Sequence, residues 1–588
     1  MRKPPMLASL LAASCVSLLA VAVNMPQALA QTDQPEDTVS VAEKSAVTAE
    51  QFMVAAANPH ASQAGYDVLK RGGNAIDAMV AVQFMLNLVE PQSSGIGGGA
   101  FLLYFDAEAG ALTTFDGREK APMAAGPDYF LQADGEPMGW WDAVIGGRSV
   151  GVPGTLKLLH DVHSQHGSLP WAELLQPTID LARGGFEISK RMAGSIKSAQ
   201  ERSLDKFEAT RNYFFNADGT PKEAGTLLQN PAFADTVEAI ATAGPSVFYD
   251  GEIGEAIVAA VNGDADNPNP MTMADLEAYE VIERSPICVD YRGHTVCGMG
   301  PPTSGGLTVG QILGVLEHFD MPGMGYNLDS VHLFLEAAKL AYADRGLYMA
   351  DADFVRMPTQ GLIDPTYMTV RAQSVDPNQA MESATPGNPP WKDAALYAPD
   401  TQLERPGTSH FSIIDAAGNA VSMTTTIETG FGSRIMVGGF LLNNELTDFS
   451  RAPAKDGRPI ANRVEPGKRP RSSMSPTMVL DEDGKPSLLI GSPGGSRIIN
   501  YVAKSLVAIL DWQMDVQSAI NLGHFVNRNG ATDLEAGTKA EALVDGLTAR
   551  GHEVNVRDLN SGLHAIQITE ADLIGGADPR REGVVLGD

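Results

Sequence analysis

Pro406-Gly407-Thr408-Ser409-His410 is a polar turn that runs directly into His410-Phe411-Ser412-Ile413-Ile414-Asp415, a stretch that reads as a strand. A turn of Ala416-Ala417-Gly418-Asn419 and a second strand-like stretch over residues 420–429 complete a hairpin. Upstream, residues 374–405 are rich in proline, glycine and polar side chains. Such composition predicts a mobile, accessible segment that ends at Gly407-Thr408. A flexible residue before a hydroxyl at the head of a strand is therefore the centre from which the chain is read.

On length alone, 588 residues suggest two or more domains. Aspartate and glutamate total 72 against 42 lysine and arginine, a formal charge of −30. A field of that sign repels nucleic acid and anionic lipid, so neither is an expected partner. Residues 1–30 read as a signal peptide: Arg2 and Lys3 precede an apolar run over 6–23, and Ala28-Leu29-Ala30 supplies a small-x-small cleavage site. That run is too short and wrongly flanked for a membrane span. Cys15 follows Ala12-Ala13-Ser14 but lacks the large aliphatic residue of a lipid-attachment box, which favours release into the periplasm or the medium. Residues 31–45 are polar and aperiodic and read as a disordered start.

Export makes the remaining cysteines informative. Residues 287–291 and 294–297 read as two short strands around Arg292-Gly293, which sets Cys288 opposite Cys297. A cross-strand disulfide and two buried thiols are both open readings.

Residues 61–88 are helical in pattern and broken at Gly72-Gly73; Asn74 and Asp77 form a capping-box signature for the second helix, which is apolar almost all round. The glycine run at residues 93–99 lies between a helix and a strand. A dinucleotide loop needs the reverse order, so no cofactor is read there, and tight backbone packing is expected instead. Arg118 follows a strand, beside Asp116 and Glu119; locally a structural ion pair is the simpler reading, and a carboxylate clamp the alternative. His160, His163 and His166 share a spacing of three but have no carboxylate or cysteine set with them, so a solvated helix end is read there and no metal is expected. Helices are expected over 307–318 and over 330–345, the latter with Asp329 as N-cap and one apolar stripe.

Glu445 and Asp448, Ser472 and Ser473, and the glycine turn at residues 491–496 follow the hairpin. Taken with residues 72–78, 93–99, 116–119, 151–154, 301–306, 408–410, 443–449, 472–477 and 492–495, they form one ordered set, and the chain resembles the gamma-glutamyltranspeptidases, a family of N-terminal-nucleophile hydrolases. The resemblance implies an α+β fold, a four-layer αββα sandwich built from two fragments of one precursor, 31–407 and 408–588. These would interleave as a heterodimer in one composite domain rather than form two. It implies self-cleavage between Gly407 and Thr408, after which the new α-amine, with an ordinary pKa of about 8, serves as base for the Thr408 hydroxyl.

Carried onto this sequence, Thr426 orients Thr408, and the backbone N–H groups of Gly494 and Gly495 hold the oxyanion. Arg118, Ser472 and Ser473 hold the α-carboxylate of a γ-glutamyl group, and Glu428, Glu445 and Asp448 its α-ammonium. Substrates would be glutathione and related γ-glutamyl amides, with water or an amino acid or peptide as acceptor.

Three positions depart from the family pattern: Glu428 stands where asparagine is usual, Arg471 where an apolar residue is usual, and Ser409 where a second threonine is usual. Residues 449–468 are short and lack the tyrosine of a lid, which predicts an open cleft. Two other readings stay open: a sibling acylase of cephalosporin-acylase type acting on glutaryl amides, and an inactive amino-acid-binding protein.

Overall fold

The strand Thr408–Ile414 lies antiparallel between Met53–Ala56 and Ala420–Thr426, third in a seven-stranded sheet. Across that sheet the order is Val584–Gly587, Met53–Ala56, Thr408–Ile414, Ala420–Thr426, Gly99–Asp106, Ala111–Gly117 and Ile282–Arg284. A second seven-stranded sheet runs Val47–Ala49, Leu573–Ala577, His564–Ile568, Pro486–Gly491, Thr477–Leu480, His294–Gly298 and Ile287–Tyr291. This computed structural model describes residues 1, 38, 41–393, 397–405 and 407–588; the expected signal peptide lies outside them, apart from Met1.

Alternation along the strands sets the layers. Ala100, Leu102 and Tyr104 join Phe411 and Ile413 in a core with the helices Pro59–Lys70 and Ala75–Val89. Phe101, Leu103 and Phe105 point the other way, into a core shared with the second sheet and the helices Gly305–Leu316, Leu328–Tyr348 and Ile498–Leu510. Strands apolar on both faces are what a sheet covered on both sides requires. The result is the four-layer αββα sandwich of the N-terminal-nucleophile hydrolases. Residues described from Thr38 onward fall in one compact unit, against the two or more domains that length alone suggests.

The local readings hold in most places. The helical stretch breaks at Gly72, whose φ is 92°, and Asn74 with Asp77 closes the capping box of Ala75–Val89, every residue of which is buried. Cys288 and Cys297 are directly paired across their strands and joined by a disulfide, with the turn made by Arg292 and Gly293 at positive φ.

Three expectations are corrected. Asn327, not Asp329, caps the helix Leu328–Tyr348, in a capping box with Ser330, and the helix is buried around most of its circumference because it packs between Gly305–Leu316 and the strand Phe525–Asn527. His163 is no solvated end: its Nε2 lies 3.3 Å from Asp77 and 3.0 Å from the Leu169 carbonyl. The start expected to be disordered through residue 45 is held where it is described: Thr38 donates to Asp558, Ala42 N–H to the Pro579 carbonyl at 2.9 Å, and the Lys44 ammonium to the carbonyls of Asp578, Arg581 and Gly583; residues 31–37, 39 and 40 lie outside the described residues. Among the described residues no helix is long and apolar enough to cross a membrane.

Candidate active site

Thr408 opens its strand directly opposite Thr426, the last residue of the neighbouring strand. The Thr426 hydroxyl donates to the carbonyl oxygen of Gly407 at 2.7 Å and accepts the backbone N–H of Glu428 at 2.8 Å. A hydroxyl has one proton, so at its 3.4 Å contact with Thr426 Oγ1 the Thr408 hydroxyl is the donor. Gly407 is set by space. A Cβ there would lie 2.0 Å from the Glu428 carbonyl oxygen, while its φ is outside the left-handed region. Close approach, rather than a strained backbone, excludes every other residue.

Behind Thr426 the glycine run acts as the packing reading predicts. A Cβ on Gly98 would meet the Thr426 carbonyl oxygen at 1.9 Å, and one on Gly97 the Leu441 carbonyl oxygen at 2.2 Å. The Asn443 amide ties this layer together, donating to the carbonyls of Gly97 and Gly151 and accepting from Gly151 N–H.

A pocket of about 230 Å³, part of it open to solvent, is lined by Thr408, Thr426 and Gly495, by Arg118, Glu428, Glu445, Asp448, Ser472 and Ser473, and also by Glu404, Arg405, Met474 and Ile498. Of the site residues read from sequence, Gly494 and Gly407 are not part of that wall but adjoin it in the chain. Gly494 and Gly495 have φ of 139° and 58°, conformations that favour glycine and turn the backbone at the pocket edge. Glu404 and Arg405, just before Thr408 in the chain, form part of the pocket wall.

Arg118 is enclosed by carboxyl groups. It pairs with Glu445 and Asp448, and its Nε donates to the Pro470 carbonyl at 3.2 Å. The local ion pair of Arg118 is present with Glu119, 3.9 Å away, as one part of this wider cluster, whereas Asp116 is bound by Arg284 and Arg469.

Burial raises the pKa of Glu428 well above the carboxylate range, with Asp448 and Glu445 adding to the rise; burial also lifts Glu445, against the pull of Arg118. Asp448 is pushed up to about 6 and Glu119 to about 7, burial being the largest cause in both. Glu428 Oε2 and Asp448 Oδ1 are buried without a hydrogen-bond partner. Glu428 itself sits at φ 75°, uncommon for a residue with a side chain.

The gamma-glutamyltranspeptidase family model matches residues 61–588. The chain belongs to the gamma-glutamyltranspeptidase family. It is 38% identical to the glutathione hydrolase proenzyme of Bacillus subtilis, with 91% of each chain covered, and 38% identical to that of Escherichia coli over the same shares. Among solved structures it is similar to the cephalosporin acylase from Bacillus halodurans, with a TM-score of 0.82, 27% identity, and 93% of this chain and 97% of that one covered.

Within this gamma-glutamyltranspeptidase fold, the Pro301–Gly306 motif braces the serine pair. Thr303 Oγ1 donates to the Met474 carbonyl at 2.7 Å, and Ser304 Oγ to the Ser472 carbonyl at 2.7 Å. Sequence reading missed Glu404 and Arg345. Residues 374–405 were expected to be mobile and accessible up to the scissile turn, yet Asp400 and Glu404 are buried and bound by Arg471 and Arg345. An acidic residue four positions before Thr408 was the available signal. Arg345 lies at the end of a long helix with nothing local to mark it.

The one metal-competent group among the described residues is His332, Glu336 and His552. Within it His332 Nδ1 meets His552 Nε2 at 2.8 Å, and Glu336 accepts from the Lys339 ammonium at 2.8 Å.

Proposed function

We propose that the chain is a self-cleaving N-terminal-threonine amidase that hydrolyses or transfers the γ-glutamyl group of glutathione and related γ-glutamyl amides. The observation that carries this reading is the Thr426 hydroxyl, which contacts Thr408 Oγ1 and donates to the Gly407 carbonyl at once. Thr408 Oγ attacks the Gly407 carbonyl carbon, the hydroxyl proton passes to the amide nitrogen as the C–N bond breaks, and that nitrogen leaves as the Thr408 α-amine. Water hydrolyses the resulting ester and leaves a carboxylate on Gly407. In the cut enzyme the amine takes the Thr408 hydroxyl proton as that oxygen attacks the γ-carbonyl, then returns it to the departing amine. Gly494 and Gly495 N–H groups hold the oxyanion, and water or an amine resolves the acyl ester.

A γ-glutamyl group is a zwitterion at its far end. Arg118 with Ser472 and Ser473 would take its carboxylate, and Asp448, Glu445 and Glu428 its ammonium, each replacing part of the ion cluster present without ligand. Export by residues 1–30 and a heterodimer of 31–407 with 408–588 belong to the same reading. Denaturing electrophoresis of the purified protein is expected to show two fragments; a single uncut chain would refute it.

Thr426→Val is expected to slow self-cleavage by about 10²–10³-fold, the usual cost of one donor to a developing oxyanion. Thr426→Ser should cleave at close to the parent rate. A time course of fragment appearance measures both.

A second reading has one observation behind it. Burial, with Asp448 and Glu445 adding to it, raises the Glu428 carboxyl well above the carboxylate range, which weakens its attraction for an ammonium, as a glutaryl amidase would have it. Comparing a γ-glutamyl anilide with a glutaryl anilide decides between them. At least tenfold preference for γ-glutamyl is expected; equal rates would mean the carboxyl cluster does not read the ammonium.

The same pair of substrates has a pH signature. Asp448 is raised to about 6, so below that pH a bound ammonium must displace a proton, at about tenfold in affinity per pH unit. KM for the γ-glutamyl anilide should therefore fall as pH rises through about 6, while KM for the glutaryl anilide shows no such fall.

A further inference from the structure

Every residue lining the pocket is buried except Arg405, so the pocket meets solvent where that side chain lies. The Arg405 guanidinium sits over the Trp140 ring, 4.6 Å from its centroid, and 6.0 Å from that of Trp141. Three further arginines stand on the same two rings: Arg451 over Trp140 at 5.6 Å, and Arg202 and Arg434 over Trp141 at 4.8 Å and 5.6 Å. Both tryptophans open the short helix Trp140–Val144 and are half-buried, and Arg202 is exposed. The entrance to the pocket is thus a shelf of two indole rings carrying four guanidinium groups.

Although the whole chain carries a formal charge of −30, this shelf is short of anions. Arg434 donates to the carbonyls of Arg202, Gly430 and Gly432, and Arg451 to that of Met138. Among the described residues, neither these two nor Arg202 has a carboxylate within ion-pair distance. Burial, with Arg202 adding to it, pushes the Arg434 guanidinium down to about 9 against the pull of Glu428. Arg451 Nε and Trp140 Nε1 are buried without a hydrogen-bond partner among the described residues. A guanidinium stacked on a ring uses its face and keeps its edge N–H groups for an acceptor.

We infer that this shelf holds the leaving group, and the amine that replaces it as acceptor, and that it selects amines bearing a carboxylate. The inference rests on the self-cleaving amidase reading and deepens it by naming the other half of the substrate. The pocket itself orders the two halves. The acyl half ends in the buried cluster of Arg118, Glu445 and Asp448 with its carbonyl at Thr408, so the amine half projects toward the one lining residue that solvent reaches. A carboxylate there meets guanidinium edges that lack an anion, while the rest of the amine lies along the indoles. A cationic amine meets like charge at the same place. The shelf does not depend on Arg405, which lies on the segment that ends at the cut: Arg451 stands on Trp140 without it, and Arg202 and Arg434 on Trp141.

Two anilides with the same acyl half and the same bond to cut are the probes: γ-glutamyl-4-nitroanilide, whose leaving group is neutral, and γ-glutamyl-3-carboxy-4-nitroanilide, whose leaving group is an anion. The wild-type protein is expected to favour the carboxylated anilide in kcat/KM, mainly through a lower KM. That preference should fall by about fivefold in the double variant Arg202→Met/Arg451→Met, the scale of one partly exposed ion pair. Ring electronics are the same for both proteins, so the change in the ratio reports the contact alone. An unchanged ratio in the variant, or a wild-type protein without the preference, would overturn the inference. Should the double variant fail to fold, Arg202→Met alone is expected to lower the ratio by a smaller factor; an unchanged ratio there is equally fatal. Failure of the amidase reading looks different, as an uncut wild-type chain or no turnover of either anilide. Calorimetric titration with 5-amino-2-nitrobenzoate, the amine half of the carboxylated anilide, then decides without turnover: binding that weakens by about fivefold in the double variant supports the shelf, and equal or no binding overturns it.

Discussion

Thr408→Ala stays a single chain on a denaturing gel and loses turnover of a γ-glutamyl anilide by a factor on the order of 10⁴ or more, the scale on which removal of a nucleophile acts. Both losses have one cause, because the same oxygen would cut the chain and then the substrate. The fold should survive. Thr408 starts a strand held on one side along its full length by Ala420–Thr426, and its side chain makes one long contact at 3.4 Å. Fragment formation in this variant would move the scissile site elsewhere. Slow cleavage rescued by hydroxylamine would instead show that the Gly407 carbonyl is activated by its surroundings without Thr408.

Arg118→Met is expected to cost about 3–5 kcal/mol of stability, as breaking one side of a buried ion cluster does. The loss should depend on pH. Without the guanidinium, Glu445 and Asp448 are driven to their protonated forms, so their folded-state pKa values rise further above the unfolded values. The folded state then binds more protons than the unfolded one, and stability falls as pH rises through the gap between the two. Urea unfolding should therefore show a smaller deficit at pH 5.5 than at pH 8. Equal deficits at both would mean that the carboxyl groups find other cations. Thr426→Val offers a useful contrast, since it removes one donor without exposing a buried charge.

The architecture was legible where chemistry is local. Asn74 and Asp77 announce a helix start because a capping box is a contact between neighbours. Arg292-Gly293 fixes the register that brings Cys288 to Cys297, because a two-residue turn leaves no slack. Which residues share the pocket was legible only through a whole ordered set of motifs, since Arg118 and Glu445 are 327 positions apart. Glu404 stayed hidden for a different reason. Its surroundings have the composition of a mobile linker, and what fixes it are arginines contributed by a distant helix and a distant turn. Composition describes what a segment would do in water, and Glu404 is not in water.

The alternation of strands from the two sides of Gly407 bears on what happens after heating. In the first sheet, strands that follow residue 407 alternate with Met53–Ala56 and lie against Gly99–Asp106; in the second, four such strands are bracketed by Val47–Ala49 and His294–Gly298. Two cut fragments cannot part without dismantling both sheets, so dissociation and unfolding become one event. Renaturation is then an encounter between two molecules rather than the collapse of one, second order in protein and exposed to aggregation. The uncut Thr408→Ala chain should regain its structure after denaturation at a rate independent of dilution, whereas the processed enzyme should not: maturation exchanges reversibility for function.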